Sequence, residues 1–103
     1  MQIADNTLKS ITFEAFADQH GLVLEIGENP EADVTIRYFC TFRDVETVQG
    51  FRIKNFGYGS TKKESWDDLA RQLRGKVLVL GAGTWDRREI QCSSEWASDE
   101  ATG

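Results

Sequence analysis

The stretch from Gly57 to Leu80, GYGSTKKESWDDLARQLRGKVLVL, constrains the fold more than any other part of the chain. It holds a helix start, an amphipathic helix, a helix stop and an apolar strand, in that order. Thr61 with Glu64 three residues on is a capping box: the hydroxyl accepts one orphan N–H and the carboxylate reaches back to another. Trp66, Leu69, Ala70 and Leu73 fall at i, i+3, i+4 and i+7, one apolar stripe on a 3.6-residue helix. Arg71 and Arg74 bring positive charge to the helix C-terminus, and Gly75 suits the left-handed position that ends it. Val77 to Leu80 is an apolar run of buried-strand length.

Upstream, a shorter helix is equally well punctuated. Thr12 is its expected N-cap, Ile11 and Phe16 are spaced for a hydrophobic staple, and Gly21 stops it. Phe13, Phe16, Ala17 and His20 share one face. His20, the single histidine, reads as a helix C-terminal residue meeting the dipole rather than as a catalytic base. Residues 1–9 give no period and fit either a frayed start or a short edge segment.

Three strands are expected between the helices. Leu22 to Ile26 is the first, and Gly27 to Asp33, with the only proline, is a loop. From Val34 to Arg43 the chain alternates strictly. Val34, Ile36, Tyr38, Cys40 and Phe42 lie on one face, and Thr35, Arg37, Phe39, Thr41 and Arg43 on the other, as in a half-exposed antiparallel strand. Asp44 to Gly50 is expected to connect it to a third strand, with Val45 and Val48 able to extend the ladder. That third strand is Phe51 to Tyr58, with Phe51, Ile53 and Asn55 inward and Arg52, Lys54, Phe56 and Tyr58 outward. The outward sets together make one basic and aromatic surface. Gly81 to Asp86 is expected as a loop, Arg87 to Gln91 as a short strand, and Cys92 onward as a disordered acidic tail around Trp96.

The chain of 103 residues suits one domain, here residues 1–91. Its formal charge is −5, from 12 basic and 17 acidic residues. Without Glu95, Asp99 and Glu100 of the tail, 12 face 14, near −2. That balance argues against a general nucleic-acid binder, whose affinity comes mainly from neutralised phosphates. No apolar run has spanning length and no signal-peptide pattern is present, so a cytoplasmic protein without membrane attachment is expected. Cys40 and Cys92 fit neither CxxC nor zinc spacing, and neither a disulfide nor a metal is expected.

Catalysis finds little to stand on, and neither an enzyme nor a cofactor is expected. The run Val77 to Asp86 imitates a dinucleotide-binding fingerprint, yet Asp86 stands where the third glycine belongs and no helix follows. The serines lack a GxSxG context. Asp67 and Asp68 read as solvated acids on the outer side of the second helix.

Two resemblances add to this reading. Gly57-Tyr-Gly59-Ser60-Thr61-Lys62-Lys63-Glu64, with the order helix, three strands, helix over residues 10–74, resembles the double-stranded-RNA-binding domain. That resemblance implies RNA binding by Thr61, Lys62 and Lys63 at the helix N-terminus, where phosphates would sit. Trp66, Asp67 and Asp68 depart from the family pattern, and the loop with Glu28, Glu31 and Asp33 is acidic where the family presents a minor-groove contact. The ending, Gly75 to Leu80 and then Arg87 to Gln91, is similar to small bacteriophage and prophage proteins, a group that includes inhibitors of bacterial defence such as anti-CRISPR proteins. That resemblance implies action in the cytoplasm of a bacterial host.

The expected fold is therefore α+β: an antiparallel sheet of three to five strands with two helices on one face. The leading expectation of function is a non-enzymatic phage-type protein that binds and blocks a host protein, with nucleic-acid-binding proteins among the candidate hosts. Its partner-binding residues would be Arg37, Phe39, Arg52, Lys54, Phe56, Tyr58, Trp85, Arg87 and Arg88, the last three being residue types frequent at hot spots. A divergent RNA-binding module is the alternative.

Overall fold

The computed structural model describes residues 11–48, 52–81 and 85–97. The expectations for residues 1–9, Phe51 and 98–103, and for part of the loops at 44–50 and 81–86, lie outside the described residues, as do the side chains of Val48, Arg52 and Ile53. Along the chain run helix α1 (Phe13–Gln19), β1 (Leu24–Glu28), a 3-10 turn (Val34–Ile36), β2 (Tyr38–Phe42), β3 (Val45–Val48), β4 (Arg52–Ile53), β5 (Gly57–Gly59), helix α2 (Lys62–Leu73), β6 (Val77–Leu80) and β7 (Arg88–Gln91). The architecture is α+β, with two small antiparallel sheets rather than one. The first has the order β1-β2-β5; the second is built from β3, β6 and β7, with the two-residue β4 at its edge.

Local chemistry sets both helices where the sequence placed them. Thr12 Oγ1 accepts the Ala15 N–H at 3.1 Å, and Thr61 Oγ1 accepts that of Glu64 at 3.1 Å. Glu64 completes the cap one residue further out than a strict capping box, accepting from the Ser60 N–H at 2.9 Å. Gly21 and Gly75, at φ of 66° and 71°, stand just beyond the two helices in the left-handed region that L-residues resist.

The long alternating segment is not one strand. Asp33 Oδ1 accepts from both the N–H and the hydroxyl of Thr35 at 3.0 Å, which winds Val34–Ile36 into the 3-10 turn. Val34 and Ile36, expected inside, are exposed in consequence. Asp44, at φ 58°, turns the chain sharply after Phe42 so that β2 and β3 enter different sheets. The expected third strand also divides. Arg52–Ile53 joins β3, Gly57–Gly59 joins β2, and Asn55 between them bridges the sheets. Its main-chain carbonyl accepts the Thr41 hydroxyl at 2.6 Å and its side-chain oxygen accepts that of Thr47 at 2.8 Å. Thr41 is thus buried, although its place in the alternation is outward.

A single core joins these layers. Phe13, Phe16 and Ala17 of α1, Cys40 and Phe42 of β2, Val45, Leu69, Ala70, Leu73, Leu78, Ile90 and Cys92 form one buried cluster. Helix α2 lies unusually close to the first sheet. A Cβ on Gly57 would come within 2.2 Å of the Ser65 carbonyl oxygen, and one on Gly59 within 2.4 Å of Glu64 Cβ. Backbone therefore rests on backbone, and the small Ser65 is fully buried at the contact, its hydroxyl turned back to the Lys62 carbonyl at 2.7 Å.

The start of the expected tail is part of this core. Residues 92–97 run across both helices. Cys92 is buried, and the Trp96 ring packs between Phe13 and Phe16 at centroid distances of 4.9 and 5.1 Å. The Trp96 indole N–H donates to the Ala70 carbonyl at 2.6 Å, one of the last carbonyls of α2 and so without a helical partner. The Ala97 N–H reaches Ile11 O at 3.0 Å, and Gly75 N–H reaches Ser93 O at 2.8 Å. The acidic, serine-rich composition that suggested disorder is overridden by one aromatic side chain with a core socket to fill.

Two substitutions test this packing. Gly57→Ala should destabilise by about 3 kcal/mol, the upper range for forced overpacking, whereas Gly75→Ala, which meets no neighbour, should cost only about 1 kcal/mol for its positive φ. Equal urea midpoints for the two variants would refute the close approach. Trp96→Ala should cost about 3 kcal/mol in the same assay; a disordered segment would show no change.

Candidate interaction surfaces

The register of the first sheet decides which side chains share a surface. Gly27 of β1 stands opposite Phe39 of β2, and Phe39 opposite Tyr58 of β5. All three lie on the face turned away from the Phe42 side chain, on which Phe13 and Trp66 pack. The Phe39 ring lies across Gly27, where a Cβ would come within 2.3 Å of its Cζ. Phe56 adds a third ring, edge-on to Phe39 at 6.3 Å and stacked on Tyr58 at 6.4 Å. Tyr58 is 46 % exposed, and Phe39 and Phe56 are half-buried. The result is an aromatic cluster on a sheet face that no described element covers, bordered by the exposed Arg43–Glu25 ion pair at 2.9 Å.

The other expected partner-binding residues do not all join it. Arg37 sits at the bend before β2, half-buried, with Nη2 reaching the Ala32 carbonyl at 3.5 Å and Nε enclosed without a partner. Lys54 is exposed along its stem, but its ammonium donates to the Phe42 carbonyl at 3.0 Å. Arg52 belongs to the second sheet. Trp85, Arg87 and Arg88 form a separate locus at the β6–β7 connection, where Trp85 is 98 % exposed and Arg87 pairs with Glu89 at 2.8 Å. The continuous basic and aromatic face expected from alternation is therefore divided, because the strands that would have carried it lie in different sheets.

At the N-terminus of α2, Thr61 is occupied as the cap, Lys62 is exposed, and Lys63 pairs with Asp67 at 3.0 Å. The Ser60 hydroxyl and N–H both donate to the Glu64 carboxylate and hold it below its usual protonation range. A fixed carboxylate thus stands beside the lysines. The groove they border, about 370 Å³, is floored by Leu24, Ile26 and Trp66 and walled by Glu14, Lys62 and Lys63.

Asp68 corrects the reading of the acid pair. Only Asp67 is solvated. Asp68 turns onto β5, where its Oδ2 accepts the Tyr58 N–H at 2.9 Å and the Gln72 amide at 2.9 Å, while Arg71 binds its other oxygen. The Gln72 amide donates in addition to the Phe56 carbonyl at 2.7 Å. Asp68 and Gln72, one turn apart, satisfy backbone groups that β5 would otherwise leave open at the sheet edge. The i, i+4 spacing of an acid and an amide on a helix following a Gly-x-Gly strand was the available signal.

Among the described residues no group of three or more histidine, cysteine or acidic side chains is placed to hold a metal. Burial pushes the Cys92 thiol up to about 12 and raises that of Cys40. No described helix is long and apolar enough to cross a membrane. Comparisons with family models, with characterised proteins and with solved structures give no match to this chain.

The Glu64 cap carries a pH signature. Because its folded pKa lies below the ordinary 4.5, its contribution is present above pH 4.5 and is lost as pH falls through the folded value. Carboxyl NMR titration should show Glu64 titrating below the exposed acids, and Glu64→Gln should flatten the acid limb of the stability profile. An unshifted Glu64 resonance would remove the cap from the account.

Proposed function

We propose that this protein is a small non-enzymatic binding protein of the phage accessory type, which acts by covering a surface of a host protein. The observation that supports it best is the Phe39–Phe56–Tyr58 cluster, apolar rings fixed on a sheet face that no described element covers. Rigid aromatics lose little conformational freedom on docking, and tyrosine is enriched among residues that dominate binding energy. The fully exposed Trp85 is a second anchor of the same chemical kind. The net charge of −5 suits a partner whose own surface is basic, such as a nucleic-acid-binding protein, since complementary fields speed encounter and suppress wrong partners. An inhibitor of a bacterial defence protein fits this description.

The alternative is a divergent double-stranded-RNA-binding module. It rests on the first sheet lying between α1 and α2 in the chain, once β3 and β4 are set aside as an insertion, and on exposed Lys62 at the α2 N-terminus. The carboxylates of Glu64 and Asp67 beside those lysines weigh against it.

Recovery of tagged protein from bacterial lysate, with and without nuclease, separates the two. A stoichiometric protein partner that survives nuclease is expected. Tyr58→Ala should then weaken its binding at least tenfold, roughly 1.4 kcal/mol, with the fold intact by circular dichroism. Loss of all bound material on nuclease treatment, together with loss of duplex RNA binding in the Lys62→Glu/Lys63→Glu variant, would replace the first reading with the second.

A further inference from the structure

The first sheet has one sealed edge and one open edge, and the open edge is self-complementary. Arg43 N–H bonds Val23 O at 2.8 Å and Asn29 N–H bonds Arg37 O at 2.8 Å. With the register Glu25↔Thr41 and Gly27↔Phe39, the odd-numbered residues from 23 to 29 direct their backbone groups to β2. Leu24, Ile26 and Glu28 therefore direct theirs outward, and among the described residues nothing accepts or donates to them. Natural edges are usually blunted by proline, charged side chains or a bulge. β1, Leu-Glu-Ile-Gly-Glu, has no proline and no bulge, and of its two charges Glu25 is already paired with Arg43.

We propose that β1 pairs antiparallel with β1 of a second copy, across a two-fold axis through Ile26, to give a continuous six-stranded sheet. In this register Ile26 faces the partner's Ile26, and Leu24 faces the partner's Glu28. Leu24, Ile26 and Glu28 each exchange both backbone bonds with the residue opposite. All of β1 is used, and no like charges stand directly opposite; the two Glu25 residues are diagonal neighbours, each paired with its own Arg43. A shift of the axis to Glu25 or to Glu28 would set two carboxylates face to face, which is destabilising.

The side chains fit the same arrangement. Leu24, Ile26 and Glu28 occupy the face of β1 that borders the groove of Trp66, Lys62 and Lys63, and Ile26 is 42 % exposed there. The second copy brings its Ile26 onto the apolar floor and the partner's Glu28 opposite Leu24, on the side lined by the two lysines. By symmetry the exchange is made twice. The aromatic cluster lies on the reverse face of the sheet, so this pairing leaves it uncovered and does not rest on the function proposed above.

The test is the oligomeric state of the full chain by light scattering across the micromolar range. A concentration-dependent dimer is expected. Ile26→Lys, which sets two ammonium groups against each other at the axis, should give monomer with unchanged circular dichroism. Independently, Ile26→Cys should form a disulfide-linked dimer under mild oxidation. Opposed Cα atoms of such a pair lie about 5.5 Å apart, within disulfide reach, and native Cys40 and Cys92 are buried. Val34→Cys, exposed but distant in register, should not crosslink. A wild-type chain that stays monomeric, or a dimer that withstands Ile26→Lys and fails to crosslink through the Ile26→Cys variant, overturns the proposal.

Discussion

The contact on which the rest of this structure depends is the seating of α2 on β5. Two glycines with the small Ser65 between the backbones bring helix and strand closer than side chains normally permit. At that separation the helix reaches past the strand. Asp68 and Gln72 come within bonding distance of main-chain groups on the far side of β5, while Leu69 and Leu73 enter the core that both sheets share. One close approach thus positions an edge seal and a core stripe together. A larger residue at Gly57 would lift both.

The second organising element is Trp96. A twelve-residue helix is marginal alone, and the end of α2 carries carbonyls that need partners. The indole supplies one such bond and fills the space between the two helices at the same time. Aromatic residues are suited to this pairing of tasks, since the ring is apolar and its N–H is not. The chain thereby closes on itself, with residues near both ends of the described region joined beside α1.

What could be read in the sequence was what local chemistry decides. Thr12, Thr61, Gly21 and Gly75 act within a turn of their own positions, and both helices stand where those residues put them. Alternation from Val34 to Arg43 was misleading because it is blind to competing local bonds. One Asp33 side chain turns the first third of that segment into a 3-10 turn, and Asp44 separates the remainder from β3. The aromatic part of the outer face was legible, since Phe39 and Tyr58 do stand side by side. Its basic part was not, because the sheet to which each strand belongs is settled by long-range bonds such as those of Asn55. Trp96 and Asp68 act over distances in sequence that no periodic pattern encodes.

The seal on β5 also limits growth. A sheet open on both sides can add neighbours without end, as fibrils do, whereas the first sheet, among the described residues, has a single side at which a strand can be added. Any assembly built through β1 must terminate at the first partner, because that partner presents its own Asp68-capped strand at the far side. A helix that caps one margin of this sheet therefore acts as a chain terminator for growth through it, and it leaves the opposite margin free to take a single partner.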